Sequence, residues 1–241
     1  MLGIGLDLSS VSVRGGVSLS AYAVAGNEPK LVADFVNSVF WKGGAAQSGL
    51  SDVITFARTG TATYVDSSGV LQTAADGVAR ENHHIYNGSA WVNSGIRHES
   101  EARTQLLHTT GTLVTQTHTV TAVAHTLHFT GTGTVTLSGV STAGPLVGTG
   151  TGEENRVSLT FTPTAGSLTL TVSGTVSDAQ LEIGATPSSY IPNLAGSGTV
   201  TRAAETLTIA AADLPFAYNP VTSKARLVNT FGWTITDGGA V

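Results

Sequence analysis

Seven histidines are the first candidates for chemistry: His83, His84, His98, His108, His118, His125 and His128. Imidazole is the commonest metal ligand among side chains, and ligand pairs are recognised by spacing, as in a helical H-E-x-x-H. No such pattern occurs in this chain. On a strand, His125 and His128 are an odd number of residues apart and point to opposite faces. They read as surface or partly buried polar side chains, and no metal site is assigned. Glu99 and Glu101 share a face if the chain is extended there. Glycoside hydrolysis needs two acids at a defined separation, but two neighbours on an exposed connector are more simply a solvated face. Glu153-Glu154-Asn155 offers oxygen ligands for calcium without the spaced Asp/Asn array of a dedicated loop. The run Gly148-Thr149-Gly150-Thr151-Gly152 lacks the lysine and helix of a phosphate-binding loop, and there is no G-x-S-x-G element. No catalytic residue, no metal and no cofactor is expected, and the chain is not expected to be an enzyme. Tyr86 and Trp91 flank Asn87-Gly88. They are candidate glycan contacts through ring stacking, weighed against a plainer role as a cross-strand pair over a hairpin.

The elements that would carry these groups follow from composition. Charged residues make up 11% of the 241, against about 25% in ordinary soluble domains. Thr, Ser, Gly, Ala and Val dominate, and β-branched residues favour pleated, half-buried surfaces. A net charge of −5 with only 11 Lys and Arg excludes the basic footprint of a nucleic-acid binder. The absence of cysteine removes disulfides and thiol metal sites. The start Met1-Leu2-Gly3-Ile4-Gly5-Leu6-Asp7 reads as no signal peptide. No apolar run approaches the ~20 residues of a helical span, so no membrane insertion is expected.

Periodicity predicts an all-β chain: an antiparallel, jelly-roll-like β-sandwich preceded by β-hairpins. Residues 1–45 read as an N-terminal anchoring segment, with Leu6, Leu8, Val11 and Val13 as candidate anchor residues. Residues 46–107 read as a hairpin and connector region. Strands at 61–65 and 70–73 flank Asp66-Ser67-Ser68-Gly69, with a glycine where positive φ is needed. Tyr86-Asn87-Gly88-Ser89-Ala90-Trp91 is a second hairpin signal. Glu99 to Leu107 is the one stretch that reads as helical. Residues 108–205 read as the sandwich, with strands at 119–129, 134–140, 157–162, 168–176 and 179–183. There Val157, Leu159 and Phe161, then Leu168, Leu170 and Val172, alternate with hydroxyl residues. Residues 206–241 read as a C-terminal β extension.

Several stretches carry a resemblance. Ile54-Thr55-Phe56-Ala57-Arg58-Thr59-Gly60-Thr61-Ala62-Thr63-Tyr64-Val65-Asp66-Ser67-Ser68-Gly69, His84-Ile85-Tyr86-Asn87-Gly88 and Glu99-Ser100-Glu101-Ala102-Arg103-Thr104-Gln105 look like motifs of phage and prophage fibre or spike proteins. The ending Ala179-Gln180-Leu181-Glu182 through Tyr190-Ile191-Pro192 resembles the closing strand of the jelly-roll module of that family and of related carbohydrate-binding modules. The family includes head-spike fibre proteins of tailed phages and of gene-transfer-agent particles, and the resemblance spans roughly residues 50–205. It implies a virion structural protein, a head or tail fibre or spike component, that assembles with itself as a homotrimer or homopentamer. Its other expected partners are capsid or tail proteins and, for adhesion, host surface polysaccharide. The alternatives are a free-standing carbohydrate-binding module and, more remotely, a polysaccharide depolymerase.

Overall fold

Alternation of apolar and hydroxyl residues sets the strands. The structure is a computed structural model that describes residues 31–196 and 198–210. Leu6, Leu8, Val11 and Val13 lie outside the described residues, as does the expected C-terminal extension beyond residue 210. In chain order the strands are β1 (Leu31–Asp34), β2 (Val39–Lys42), β3 (Ala45–Ala46), β4 (Thr55–Ala57), β5 (Ala62–Val65), β6 (Leu71–Ala74), β7 (Arg80–Tyr86), β8 (Trp91–Arg97) and β9 (Arg103–Gln105). They continue as β10 (Gln116–Val120), β11 (His125–Gly131), β12 (Thr134–Gly139), β13 (Leu146–Val147), β14 (Val157–Phe161), β15 (Gly166–Ser173), β16 (Val176–Ile183), β17 (Val200–Arg202) and β18 (Thr206–Thr208). Two single 3-10 turns, Leu50–Asp52 and Glu153–Asn155, are the only helical elements among the described residues. Every strand pairing is antiparallel. The chain is all-β, as its periodicity predicts.

Seven of these strands form two sheets, ordered β10-β15-β12-β13 and β14-β11-β16. The chain changes sheet at every connection from β10 to β16 except the β12–β13 hairpin. Val120, Val135, Leu137, Leu168 and Leu170 from the first sheet share one core with Leu127, Phe129, Phe161, Ala179 and Leu181 from the second. Each large apolar side chain buried here contributes roughly 1.5–3 kcal/mol relative to exposure. The opposite side of the first sheet carries hydroxyls such as Thr117, Thr136, Thr169 and Thr171, with Thr117 and Thr169 hydrogen-bonded across strands at 2.9 Å.

The second sheet departs from simple alternation. β11 is buried along its whole length. Its polar side, Thr126, His128 and Thr130, with Gln180 and Glu182 of β16, is as buried as its apolar side. Arg156, Ser188 and the Ile191 N–H cover it, donating to His128, Glu182 and Gln180.

Two sequence readings need correction. The single strand expected from 119 to 129 is two strands in different sheets. A tight turn with Val123 N–H donating to Thr121 C=O at 2.9 Å separates them, because the chain must cross the sandwich there. The expected helix from Glu99 to Leu107 is extended, and its core is β9. Long-range partners win over local propensity: β9 pairs with β17, and Gln105 uses all four of its hydrogen-bonding capacities on backbone. Its Oε1 accepts from Leu107 and Leu181 N–H, and its Nε2 donates to the Ala179 and Ile191 carbonyls.

Residues 200–209 run back to the middle of the chain. β17 pairs with β9, β18 pairs with β4, and Leu207 and Ile209 join a second apolar cluster with Phe40, Leu50, Val53 and Ile54.

Candidate functional site

The return of β17 and β18 brings Arg202 and Glu205 beside charged groups from three other stretches. Glu205, 1% exposed, accepts from Arg80 through a two-pronged contact, Nε to Oε1 at 2.9 Å and Nη2 to Oε2 at 2.7 Å. Arg58 Nη1 donates to the same Oε1 at 2.7 Å. The Glu99 backbone N–H closes the set on Oε2 at 2.8 Å. Buried guanidinium groups need full hydrogen bonding to be tolerated. Arg58 meets that need with the carbonyls of Gly60, Ala74 and Ala75, and Arg80 with the Thr63 carbonyl and the Ser189 hydroxyl.

Glu99 is the second acidic node. Arg80 Nη2 lies 2.8 Å, Arg97 Nη2 3.2 Å and Arg202 Nε 3.3 Å from its oxygens, and Ser189 donates from both its N–H and its hydroxyl. Burial alone would raise this carboxyl. The charges of Arg97, Arg80 and Arg202 and the Ser189 hydroxyl outweigh it and hold Glu99 well below the usual carboxylate range. A carboxylate held ionised in this way has no proton to give, so Glu99 is unsuited to the general-acid half of a hydrolytic pair. Glu101 is 74% exposed along its side chain and is tied to Arg103, in keeping with a solvated face.

The histidines separate into distinct environments. His83 is buried and its Nδ1 accepts the Val65 N–H at 3.1 Å, which places its proton on Nε2. Burial, then the charges of Arg97 and Arg80, lowers it to about 4. His98, part-buried, is lowered mainly by burial. His125 and His128 do face opposite ways, but both are fully buried rather than at the surface. His125 stacks on Phe161. Arg156 Nη1 donates to His128 Nδ1 at 3.1 Å, which leaves the Nε2 proton facing Glu182 at 3.4 Å. Burial lowers His128 as well. Among the described residues no cluster of His, Asp or Glu is placed to hold a metal ion. Glu153 is committed to a two-pronged pair with Arg156, and Asn155 bonds Thr151 and Glu154.

Tyr86 and Trp91 are register partners on β7 and β8, with ring centroids 5.3 Å apart and planes tilted by 52°. The Asn87-Gly88 turn closes the hairpin as expected, with Asn87 Oδ1 accepting the Ser89 and Ala90 N–H groups. Tyr86 is 42% exposed, and the next register pair, Ile85 and Val92, is exposed on the opposite face of the hairpin. Trp91 rests on Gly69 of the β5–β6 turn, so closely that a Cβ at Gly69 would fall 2.4 Å from the indole.

Two openings border the charged junction. One, about 290 Å³, lies between residues 97–103, Thr186-Pro187-Ser188 and Arg202. A smaller one, about 90 Å³, lies between Tyr64, His83, Arg97, Arg156 and Tyr190. Arg97 lines both.

Sequence reasoning singled out Glu99 but missed Arg58, Arg80, Arg202 and Glu205. A signal was present. In a chain this poor in charge, Arg58 sits between Ala57 and Thr59 with no acidic residue within five positions, the pattern of a charge satisfied at long range; Arg80 beside Glu81 and Arg202 three residues before Glu205 carry no such signal. Set against known proteins, the chain matches no family model, no curated protein and no solved structure.

Proposed function

We propose that the chain is a structural, non-enzymatic component of a bacteriophage particle: a head or tail fibre or spike protein that resides on the virion, assembles with itself and contributes to host-surface adhesion. The observation that carries this reading is where the resembling stretches go. Arg58, Glu99 and Gln105, and Gln180, Glu182 and Tyr190 come from three of these stretches, and their hydrogen bonds tie the hairpin region, residues 99–105 and residues 179–193 together. They build a rigid junction, which suits a protein whose work is to hold geometry. Weak surface contacts multiplied over symmetric copies then supply adhesion.

The test is the solution mass of the full-length chain by light scattering, repeated with residues 1–30 deleted. A discrete trimer or pentamer is expected, and a monomer from both forms overturns the reading. The second reading, a free-standing carbohydrate-binding module, draws on the Tyr86–Trp91 pair, of which Tyr86 is exposed. It requires that Trp91→Ala release a monomeric chain from immobilised host polysaccharide. Retention of that variant at wild-type level removes the hairpin from consideration.

A further inference from the structure

The ion-pair network at the junction does not balance. Its acidic members are Glu99 and Glu205, and its basic members are Arg58, Arg80, Arg97 and Arg202. Buried Glu182 also acts on Arg202, so four positive charges face three negative and leave a local excess of one, in a chain whose overall charge is −5. Arg103, on the same cleft wall, is offset by Glu101. Carbonyl oxygens absorb the donors of Arg58 and Arg80, which are enclosed. Arg97 differs. It is 31% exposed along its side chain, and its one hydrogen bond among the described residues is from Nη2 to Glu99 at 3.2 Å. Its remaining donors make no hydrogen bond among the described residues, and Arg97 lines both openings. Arg202, 2% exposed, lines the same opening, and its Nε is buried without a hydrogen bond although Glu99 lies 3.3 Å away. The depression of His83, to which Arg97 and Arg80 both contribute after burial, registers the same positive field on the other side of Arg97.

We infer that the cleft between residues 97–103, Thr186-Pro187-Ser188 and Arg202 is an anion-binding site for a carboxylate- or phosphate-bearing group of monosaccharide size, with Arg97 as the principal contact. A planar guanidinium fork matches a carboxylate or phosphate with two parallel hydrogen bonds. The volume of about 290 Å³ is at the lower end of small-molecule sites, enough for one sugar ring and its acidic substituent. The inference deepens the adhesion half of the proposed function and rests on it for the ligand's source, an acidic glycan. The self-assembly half stands or falls on mass, a separate measurement.

The probes are sodium glucuronate, glucose and inorganic phosphate, added to the full-length chain, with the two sugars followed by saturation-transfer NMR. Glucuronate is expected to receive saturation, glucose to receive none, and phosphate to displace glucuronate. Arg97→Gln should weaken glucuronate at least tenfold while the chain still unfolds in one cooperative transition, at a lower midpoint because Glu99 loses a partner. Arg97→Lys, which keeps the charge and loses the fork, should fall between the two. Inorganic phosphate has no carbon-bound proton and is followed by 31P line broadening in a parallel titration; broadening without glucuronate saturation supports the anion site and moves its ligand from sugar acids to phosphate groups. Equal response to glucose and glucuronate, no response to either anion, or affinity unchanged in Arg97→Gln overturns it.

Discussion

Arg80 has no solvent contact, and arginine does not shed its charge in proteins. Its presence at the junction therefore depends on Glu205 and Glu99, which meet its Nε and Nη2 within 2.9 Å. Removing one partner of a buried pair costs more than the pair is worth, because the other charge is left behind. Glu205→Ala strands both Arg58 and Arg80, and urea unfolding of this variant should show a loss of about 3–5 kcal/mol. The acid response has a definite sign. Unfolded histidine protonates near about 6.5, whereas folded His83 does so only at about 4. Between those values the unfolded state binds more protons, so stability falls as pH drops from about 6.5 to about 4. Glu99, with its folded value depressed, contributes stability that is complete above the unfolded value of about 4.3. That contribution is lost as pH falls further, through the folded value. His83→Asn keeps an acceptor for the Val65 N–H and should reduce the slope of the thermal midpoint between pH 6.5 and pH 4, the remainder coming from His98 and His128, which burial lowers as well. An unchanged slope in that window would show that His83 is not its source.

At the scale of elements, local signals were legible where local chemistry decides. Gly69 takes φ +79° at the end of the Asp66 turn, where Asp66 Oδ1 accepts from both Ser68 and Val70 N–H. The sequence pattern placed that glycine correctly, but not its second duty as a seat for Trp91. Gly69→Ala meets both a disfavoured backbone and the indole ring, and should destabilise the chain by about 1–3 kcal/mol in a denaturant melt. β14 appeared in the sequence with its bounds nearly unchanged, because Val157, Leu159 and Phe161 face one core and the residues between them face away. β11 could not be read this way. Its Thr126, His128 and Thr130 are polar yet buried, since the groups that cover them, such as Arg156, 28 positions on from His128, come from later in the chain, and period 2 carries no information about what covers a face. Glu99 to Gln105 misled for a related reason. Its Glu, Ala, Arg and Gln content favours helix, but Glu99, Arg103 and Gln105 each have long-range partners, Arg80 and Ser189, the Ile183 carbonyl, and Ala179, Leu181 and Ile191.

At the scale of the whole molecule, the junction makes distant stretches depend on one another. Arg58 and Glu205 are 147 positions apart, and Arg80 and Glu205 are 125 apart. The bonds of Gln105 reach Leu181 and Ile191 in the two-sheet core. Residues 55–65, 80–99 and 200–208 thus share one set of buried charges, and that set is fastened to the sandwich through Ser189 and Gln105. Buried polar networks of this kind are costly to open in part, because each intermediate exposes an unpaired charge to a low-dielectric surround. Opening should therefore be all-or-none. In hydrogen exchange at rising urea, peptides covering 55–65, 80–99 and 200–208 should lose protection together and with the same dependence on denaturant as β11 and β16. Glu205→Ala should split this behaviour. The first three stretches would then exchange at lower urea, while β11, β15 and β16, held by their own apolar core, keep most of their protection. If the three stretches exchange independently in the wild-type chain, the charges are local ornaments of separate hairpins. The rigidity on which a fibre or spike role depends would then have to come from elsewhere in the molecule.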